Sequence, residues 1–473
     1  MPHKVVVPLQ HLDRYRRYVV PEVYDRAIEA LRAFAERLRG KVLWNVSSTA
    51  AGGGVAELLH PQVGVLRSVG LNAEWMVIDG SAEFFGLTRR LHNALHGMGD
   101  WETTDEVRRI YESVLEQNGA ELAALIGPGD VVLLHDPQTA GLTTRLSRLG
   151  AHVLWRCHIG RDALTPEILN AWDFLAPYVS PAVGIIFTRA SYVPPQLSGM
   201  RVAFIPPTID PDTPKNQELS QETVRAILGH SGIIEGAGTN AHRCFTRLDG
   251  APGRVDRFAD VIRLGPAPPP DSPLIIQISR WDFLKDPIGV MKGFVLCQEA
   301  MCSPNVQLIL AGPNVHGVAD DPSAASAFNA VLEVWRTLPH SERSRVHLVT
   351  LPMADIDENA AIVNALQRHA TVIVQKSLHE GFGLTVTEAM WKAKPIVASD
   401  VSGIDEQMDD GVHGLLVKDP TDLKAFADAL QRMLSDPALA LRLGEQARAR
   451  VRDNYLGTVS MRQLAEYVTE LLG

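Results

Sequence analysis

The sequence has few cysteines and spaces them without a motif. The 473-residue chain contains four of them, Cys157, Cys244, Cys297 and Cys302. Because no C-x-x-C pair occurs, the sequence predicts reduced thiols rather than a disulfide framework or a cysteine zinc site.

Long apolar runs and an excess of positive charge are also absent. No run approaches the length of a membrane span, and residues 1–18 lack the apolar core and cleavage site of a secretory leader. The 45 Lys and Arg residues against 55 Asp and Glu give a net charge of −10. This balance argues against sequence-independent binding to nucleic acid or to anionic membranes. We therefore expect a cytoplasmic protein with neither partner.

Several catalytic signatures are missing as well. The chain has no G-x-x-x-x-G-K-[ST] phosphate loop and no G-x-S-x-G nucleophile elbow. His92 and His96 are four residues apart on a predicted helix, but no third ligand accompanies them. The sequence therefore predicts no bound metal and no cofactor.

The sequence does contain a repeated alternation of short apolar runs with helical patterns. The predicted strands of the first series are 42–48, 74–78, 130–135, 151–155, 184–187 and 202–205. Those of the second series are 274–279, 306–311, 346–351, 371–375, 395–399 and 414–417. Such alternation predicts the α/β class, with two doubly wound, Rossmann-like domains in series. Pro61, inside the helical pattern that follows the first strand, predicts a kink or a restart there.

Proline-rich stretches suggest the domain boundaries. Residues 206–214 predict a junction between an N-terminal domain, 1–207, and a C-terminal domain, 208–455. The helix within 456–473 has an apolar stripe that needs a partner, which we expect on the first domain. Residues 215–262 begin as a helix and then become polar and irregular, which predicts a cap or a mobile segment. A stiff linker is predicted at 265–273.

The stretch from Lys376 to Pro395 carries the sharpest motif, Glu380-x7-Glu388. It lies in a strand, glycine turn and helix, an architecture that directs backbone N–H groups at phosphate. Gly381 and Gly383 permit close backbone approach. Carboxylates accept hydrogen bonds from hydroxyls, so Glu388 is predicted to bind ribose and Glu380 the donor sugar. The alternative is two unrelated surface acids.

Arg280 and Lys285 follow the first strand of the second series, in the run SRWDFLK. Two cations at a strand end are suited to offset a diphosphate leaving group. The alternative is an ordinary basic turn that pairs with Asp282 or Asp286.

In the first series, the strand ends supply further candidates. They are the glycine run 52–54, His158, and the acceptor-binding candidates Asp79, Asp136 and Gln138. Ligands of open α/β sheets lie beyond the carboxyl ends of strands, and two such sheets facing each other would form a cleft. A plain tight turn at 52–54 and a buried structural histidine at 158 are the alternatives.

Taken together, these residues resemble the retaining glycosyltransferases of family 4, which have the B-type fold of two Rossmann-like domains. SRWDFLK and HEGFGLTVTEAMW carry the likeness in the second half of the chain. TAAGGGVAELLHP, LNAEWMVIDG, HDPQTAGL and WRCHIG extend it to the branch of trehalose synthases, which transfer glucose from a nucleotide sugar to free glucose. The related trehalose phosphorylases share these phrases. Residues 229–272 are longer than the corresponding synthase linker.

The resemblance implies roles for the matching positions. Arg280 and Lys285 would bind the donor diphosphate, and Glu388 the ribose. The donor site would comprise Gly53, Gly54, Arg280, Lys285, Glu380, Gly381, Phe382, Gly383, Leu384 and Glu388. His158 would contact the donor sugar near the reacting carbon. The catalytic set would be Glu380, His158, Arg280 and Lys285.

The resemblance also implies a reaction. The enzyme would form trehalose reversibly from NDP-glucose and glucose, with retention of configuration and without a metal. A trehalose phosphorylase, a family 4 enzyme with another acceptor, and a non-catalytic sugar-nucleotide sensor remain as alternatives. Related enzymes are often dimers, so a homodimer is an open expectation.

Overall fold

The computed structural model describes residues 1–50, 53–236, 242–301, 305–315 and 322–473. The described chain divides into two units, Met1–Thr208 with Tyr455–Gly473, and Ile209–Asn454. A seven-stranded, mostly parallel sheet with helices between its strands lies at the centre of each unit. The predicted α/β class with two doubly wound domains is confirmed.

The described residues of the first unit form seven strands. They are β1 (His3–Lys4), β2 (Leu43–Ser47), β3 (Ala73–Val77), β4 (Val131–His135), β5 (His152–Arg156), β6 (Gly184–Phe187) and β7 (Val202–Phe204). Their order across the sheet is β1-β3-β2-β4-β5-β6-β7, and all neighbours pair in parallel except β1 with β3. β2 to β6 are largely buried because their apolar runs meet helices on both faces.

Seven α-helices accompany this sheet. They are α1 (Pro21–Arg37), α2 (Gly54–Ser68), α3 (Ala82–Leu95), α4 (Asp105–Leu122), α5 (Thr143–Arg148), α6 (Pro166–Val179) and, at the end of the chain, the final helix (Gly457–Leu472). Of the two outcomes predicted at Pro61, the restart is wrong, because α2 continues through this residue, and the kink stays a prediction. A proline removes one helical hydrogen bond, and the buried face around it, including Leu59 and Val63, holds the helix together.

The final helix packs against α1 of the same unit. Its apolar stripe, which includes Leu464 and Val468, is buried. Tyr467 donates a hydrogen bond to the carbonyl of Arg201 at 2.7 Å, and Arg37 donates to the carbonyl of Leu472 at 2.6 Å. The stripe therefore finds its partner within the first unit.

The second unit has a second seven-stranded sheet and a small hairpin. The strands are β8 (Cys244–Thr246), β9 (Pro252–Arg254), β10 (Asp260–Ile262), β11 (Leu274–Ile278), β12 (Gln307–Pro313), β13 (Val346–Leu351), β14 (Val372–Gln375), β15 (Ile396–Ser399) and β16 (Leu415–Val417). The sheet order is β10-β13-β12-β11-β14-β15-β16, with β10 antiparallel to β13. Apart from β10, this is the strand order of dinucleotide-binding folds.

The second unit contains nine α-helices among its described residues. They are α7 (Gln221–His230), α8 (Pro287–Met301), α9 (Pro322–Thr337), α10 (His340–Arg343), α11 (Ile356–His369), α12 (Leu384–Trp391), α13 (Ile404–Gln407), α14 (Leu423–Ser435) and α15 (Pro437–Asn454). The final helix, Gly457–Leu472, is α16. Within the described residues, none of these helices combines the length and the apolarity that a bilayer span requires.

The segment 215–262 is more ordered than the sequence predicts. After α7 it forms the β8–β9 hairpin and then the edge strand β10. Arg247 places its two terminal nitrogens 3.1 and 2.7 Å from the carboxylate of Asp355, and the backbone N–H of Leu248 donates to Asp357 at 3.1 Å. Partners about a hundred residues away hold the segment, which is why its local composition did not predict strands. Residues 237–241 lie outside the described chain.

Replacing Leu464 by Ala should destabilise the first unit, because this side chain is 1% exposed. Deleting a buried leucine side chain costs about 2–5 kcal/mol of unfolding free energy. Urea unfolding measures the loss. Leu441→Ala is the matched control, since Leu441 is 61% exposed. An equal effect of the two substitutions would contradict the packing of α16.

Candidate active site

Both sheets have a position at which the strand order reverses. In the second unit β11 lies between β12 and β14, and in the first unit β2 lies between β3 and β4. Ligands of open α/β sheets bind beyond the carboxyl ends of strands at such a position. The turn after β11 carries Arg280 and Lys285, and the turn after β14 carries Glu380.

Hydrogen bonds join these two turns of the second unit. The amide of Gln277 donates to the carbonyl of Lys285 at 2.8 Å and accepts from the backbone N–H of Lys376 at 3.1 Å. The backbone N–H of Leu378 donates to the carbonyl of Leu284 at 2.7 Å. The position of each turn is therefore fixed relative to the other.

Lys285 and Glu380 form an ion pair between the turns. The lysine nitrogen lies 2.7 and 2.6 Å from the two carboxylate oxygens, and the side chains are 14% and 11% exposed. Ser377 also donates to this carboxylate, at 3.0 Å. The amide of Gln375 lies 3.5 Å from the same oxygen, Oε2, so three donors converge there, whereas Oε1 accepts from Lys285 and has a second acceptor position for a ligand hydroxyl.

A second ion pair, which the sequence analysis missed, joins Lys376 to Asp286. Lys376 is 1% exposed and also donates to the carbonyl of Pro420. The sequence suggests Asp286 only as an alternative partner of the basic turn that carries Arg280 and Lys285, and the backbone of Asp286 has a φ of 44°. Lys376 directly follows a buried strand and its partner is 90 positions away, so no local pattern indicated the pair.

The glycine turn begins α12. Gly383 has a φ of 91°, and a Cβ there would lie 3.0 Å from Cγ of Glu380, so the conformation and the space both favour glycine. Gln407 donates to the carbonyl of Gly403 at 2.9 Å and to that of Phe382, which is buried. The amide of Gln407 therefore fixes the backbone of the turn. The N–H groups of the first turn of α12 begin at Leu384.

Glu388 lies on α12, and the partners of its carboxylate differ from those of Glu380. It is 2% exposed, accepts a hydrogen bond from Gln367 at 3.3 Å, and lies 3.5 Å from the amine of Lys215. One helical turn later, Lys392 donates to Asn216 at 3.1 Å. Burial lowers the pKa of Lys392 to about 7, and the charge of Glu388 opposes this effect.

Arg280 is the most exposed of the predicted cations. Its side chain is 56% exposed, and its guanidinium lies 3.7 Å from the carboxylate of Asp282. The alternative pairing with Asp282 is therefore present. Such a half-exposed ion pair contributes little to stability.

In the first unit, the ends of β4 and β5 bring His158 and Asp136 together. Asp136 has a φ of 64°, and its carboxylate accepts the backbone N–H of His158 at 2.8 Å. The side chain of His135, the last residue of β4, lies 3.1 Å from Nε2 of His158. Gln138 follows on the same turn, and its Oε1 is buried without a protein partner among the described residues.

Burial shifts the pKa values of this group. It raises the pKa of Asp136 to about 7, against the hydrogen bond from His158 and the charge of Arg156. Burial and the same guanidinium lower the pKa of His135 to about 3 and that of His158 well below its usual value. Both imidazoles are therefore neutral near pH 7.

The other first-unit candidates lie at the same sheet edge. Asp79 follows β3, is 61% exposed, and pairs with the amino group of Met1. Gly53 is the extended residue before α2, and Gly54 is its first residue and is exposed. Position 52 of the glycine run lies outside the described residues. The structure gives no contact that joins Asp79 to His158 in the described chain.

The two helical histidines considered as metal ligands lie side by side. The rings of His92 and His96 are 4.8 Å apart between centroids. The residues that the structure describes contain no group of three or more His, Cys, Asp or Glu side chains placed to hold a metal ion.

Comparison with known proteins identifies the family. The family model for the N-terminal domain of trehalose synthase matches residues 45–194, and the model for glycosyl transferases group 1 matches residues 356–450. A trehalose synthase of Pyrococcus horikoshii is 34% identical over 449 residues, which cover 95% of this chain and 94% of the relative. The chain belongs to the trehalose synthase family of group 1 glycosyltransferases.

Two further similarities place the trehalose synthase family among related proteins. A trehalose phosphorylase of Pleurotus pulmonarius is 25% identical over 95% of this chain and 59% of the relative. The crystal structure of a UDP-forming trehalose-phosphate synthase from Burkholderia xenovorans matches with a TM-score of 0.67 at 16% identity, covering 92% of this chain and 99% of that chain. The structural likeness concerns the fold and confirms the B-type glycosyltransferase class.

In each unit of this trehalose synthase family member, sequence reasoning missed several polar groups around the candidate residues. They are Asn45, His135, Arg156, Lys215, Gln277, Gln367, Lys376, Ser377, Lys392 and Gln407. Buried polar residues within apolar runs, such as the glutamine of β11 and the asparagine of β2, were the available signal, because such groups require hydrogen-bond partners.

His135 should contribute a fall in the free energy of unfolding as the pH decreases from about 6.5 toward about 3, and Asp136, whose pKa is raised, opposes this contribution. The unfolded His135 takes up a proton in that window, whereas the folded residue does not because its pKa is about 3. One such histidine contributes about 1.4 kcal/mol per pH unit. His135→Leu should therefore have a shallower dependence in urea unfolding between pH 7.5 and pH 5.

The control for general destabilisation is Leu133→Ala. Leu133 is a buried residue of the same strand and carries no titrating group. The free energy of unfolding of Leu133→Ala should be lower than that of the wild type at every pH, but should change with pH by the same slope. Identical slopes in all three proteins would contradict the depressed pKa of His135.

Proposed function

We propose that this protein is a retaining glucosyltransferase that forms trehalose, reversibly, from a nucleoside diphosphate glucose and free glucose. Membership of the trehalose synthase family supports the proposal, as does the coverage of 94% of a relative with that name. The proposal assigns the nucleotide sugar to the second unit and the acceptor to the first.

The observation that carries the proposal is the ion pair of Lys285 and Glu380 where the strand order reverses. A nucleotide sugar needs cations for its diphosphate and acceptors for its hydroxyls, and this pair supplies both at one position. Lys285 has three donor hydrogens, so it can hold Glu380 and a phosphate oxygen at once.

We assign the remaining donor contacts to neighbouring groups. The half-exposed guanidinium of Arg280 binds the diphosphate, and Gly381 and Gly383 allow the backbone to approach it. Glu388 binds ribose hydroxyls, with Lys215 and Gln367 holding its carboxylate. Glu380 orients the glucose of the donor.

In the first unit, we assign His158 to the donor sugar near the reacting carbon. Gly53 and Gly54 leave room for the phosphates or the acceptor. The acceptor-binding candidates at this sheet edge are Asp79, Asp136 and Gln138. Asp136 is favoured over Asp79 because its carboxylate contacts the backbone of His158.

The proposed reaction is a displacement on one face of the glucose ring. The leaving phosphate oxygen takes the proton of the attacking acceptor hydroxyl while the C1–phosphate bond breaks. Lys285 and Arg280 offset the negative charge on the leaving diphosphate, which lowers the barrier because these cations are already in place. Glu380 positions the donor and forms no covalent bond with it.

A trehalose phosphorylase is the second candidate. The similarity to a phosphorylase over 95% of this chain favours it, but the match spans only 59% of that relative. A phosphorylase would cleave trehalose with inorganic phosphate and without nucleotide, so the two activities are separable.

A matrix of donors and acceptors tests the proposal. UDP-, ADP- and GDP-glucose are each supplied with glucose, glucose 6-phosphate or no sugar, and the product linkage is determined by NMR. We expect α,α-linked trehalose with glucose and at least one donor. Phosphate-dependent cleavage of trehalose would instead establish the phosphorylase, and donor binding by calorimetry without turnover would establish a sensor.

Replacing Lys285 by Gln should lower kcat/KM for the nucleotide sugar about 10- to 100-fold, because a charge-assisted hydrogen bond to the diphosphate is lost. Steady-state kinetics with varied donor measures the change. Lys292→Gln is the matched control, since Lys292 is an exposed lysine of α8. If both variants kept wild-type kinetics, Lys285 would have no role in donor binding.

A further inference from the structure

A chain of hydrogen bonds crosses the first sheet and ends at His158. The amide nitrogen of Asn45 lies 3.5 Å from the carbonyl oxygen of Glu74, and its Oδ1 lies 3.2 Å from Nε2 of His135. Nδ1 of His135 lies 3.1 Å from Nε2 of His158. The ring centroids are 5.4 Å apart and the two imidazole planes differ by 18°. Because the two nitrogens are only 3.1 Å apart, a centroid distance this long places both nitrogens between the rings, which therefore meet edge to edge.

The direction of the chain follows from its first member. A backbone carbonyl can only accept, so the nitrogen of the Asn45 amide faces Glu74 and the oxygen faces His135. His135 must then donate from Nε2 and, as a neutral ring, accept at Nδ1. His158 consequently donates from Nε2, which leaves Nδ1 of His158 without a proton.

The chain has this direction only if both rings are neutral. Asn45 is 0% exposed and His135 is 1% exposed, so protonation would bury an uncompensated charge. The guanidinium of Arg156, 1% exposed and bonded to the carbonyl of Ile205 at 3.0 Å, adds a fixed positive charge close by. A protonated ring would also have no acceptor to offer along the chain.

We propose that His135 is a positioning residue that fixes His158 as the Nε2–H tautomer, so that Nδ1 of His158 accepts a hydrogen bond from a hydroxyl of the sugar substrate. The proposal rests on the proposed function for the identity of the ligand, but the tautomer itself does not depend on it. Residue His158 is partly exposed and lies just beyond β5, at the carboxyl end of the strand, where ligands of open α/β sheets bind.

The tautomer of His158 would determine which sugars the site accepts. A ring that presents only a lone pair binds a hydroxyl as donor and discriminates against a sugar that lacks that hydroxyl. The same ring cannot act as a general acid through Nδ1. His135, buried behind it, therefore determines what His158 can recognise without touching the sugar.

The tautomer is tested by NMR of the full-length protein labelled with ¹⁵N-histidine. The signals of His158 are assigned from their loss in His158→Gln. We expect the proton on Nε2 and a non-protonated Nδ1. His135→Leu, which offers no acceptor, should produce a mixture of tautomers, whereas His135→Asn, whose carbonyl can replace Nδ1, should preserve the wild-type state.

His152→Leu is the control for a histidine lost elsewhere in the same sheet. His152 is the partly exposed first residue of β5, and its removal should leave the His158 signals unchanged. A wild-type His158 with its proton on Nδ1 would overturn the proposal, as would a His135→Leu variant with unchanged His158 signals.

Kinetics with monodeoxy substrates supply the second readout. For the intact sugar, His135→Leu should lower kcat/KM about 10-fold and His135→Asn should restore most of it, as expected for one hydrogen bond. For the one deoxy substrate that lacks the recognised hydroxyl, wild type and His135→Leu should be equally poor. An equal loss with every deoxy substrate would overturn the hydroxyl contact, while the NMR result would still decide the tautomer.

Discussion

The parallel pairing of β11 with β14 determines where the chemistry of the second unit lies. The two strands end at the same edge, and their helices leave on opposite sides of the sheet, so the two turns approach each other without a strand between them. Gln277 fills the gap with one amide that bonds to both turns. These hydrogen bonds fix the two turns relative to each other, and in this arrangement Lys285 and Glu380 form their ion pair.

Two ion pairs join these turns, and in each pair the lysine comes from one turn and the carboxylate from the other. Lys285 with Glu380 and Lys376 with Asp286 each join one turn to the other. A partly buried charge is tolerated when an opposite charge and hydrogen bonds compensate it, and removing one partner would leave the other uncompensated. Lys376, at 1% exposure, is the most buried of the four charges and donates from its amine to Asp286 and the carbonyl of Pro420, whereas Lys285 has a third donor hydrogen beyond the two directed at Glu380.

Sequence reasoning predicted the two alternations, the glycine turn and the candidate residues at the strand ends, because these depend on local periodicity and on turn chemistry. It did not predict β10 or the hairpin before it, since Arg247 and Asp355 are 108 positions apart. It also missed His135 and Lys376. Both end or follow apolar strands, and their partners became visible only when the sheet order placed neighbouring strand ends together.

The two units use different electrostatics at their strand ends, and the proposed reaction accounts for the difference. The leaving diphosphate gains negative charge, for which the second unit offers Lys285 and Arg280. The sugar gains positive charge, and a protonated His158 beside it would oppose that charge. The desolvated ring, bonded to His135 and near the fixed charge of Arg156, stays neutral and keeps the lone pair of Nδ1. A neutral acceptor can therefore hold a hydroxyl throughout the reaction, because its charge does not change as the sugar becomes positive.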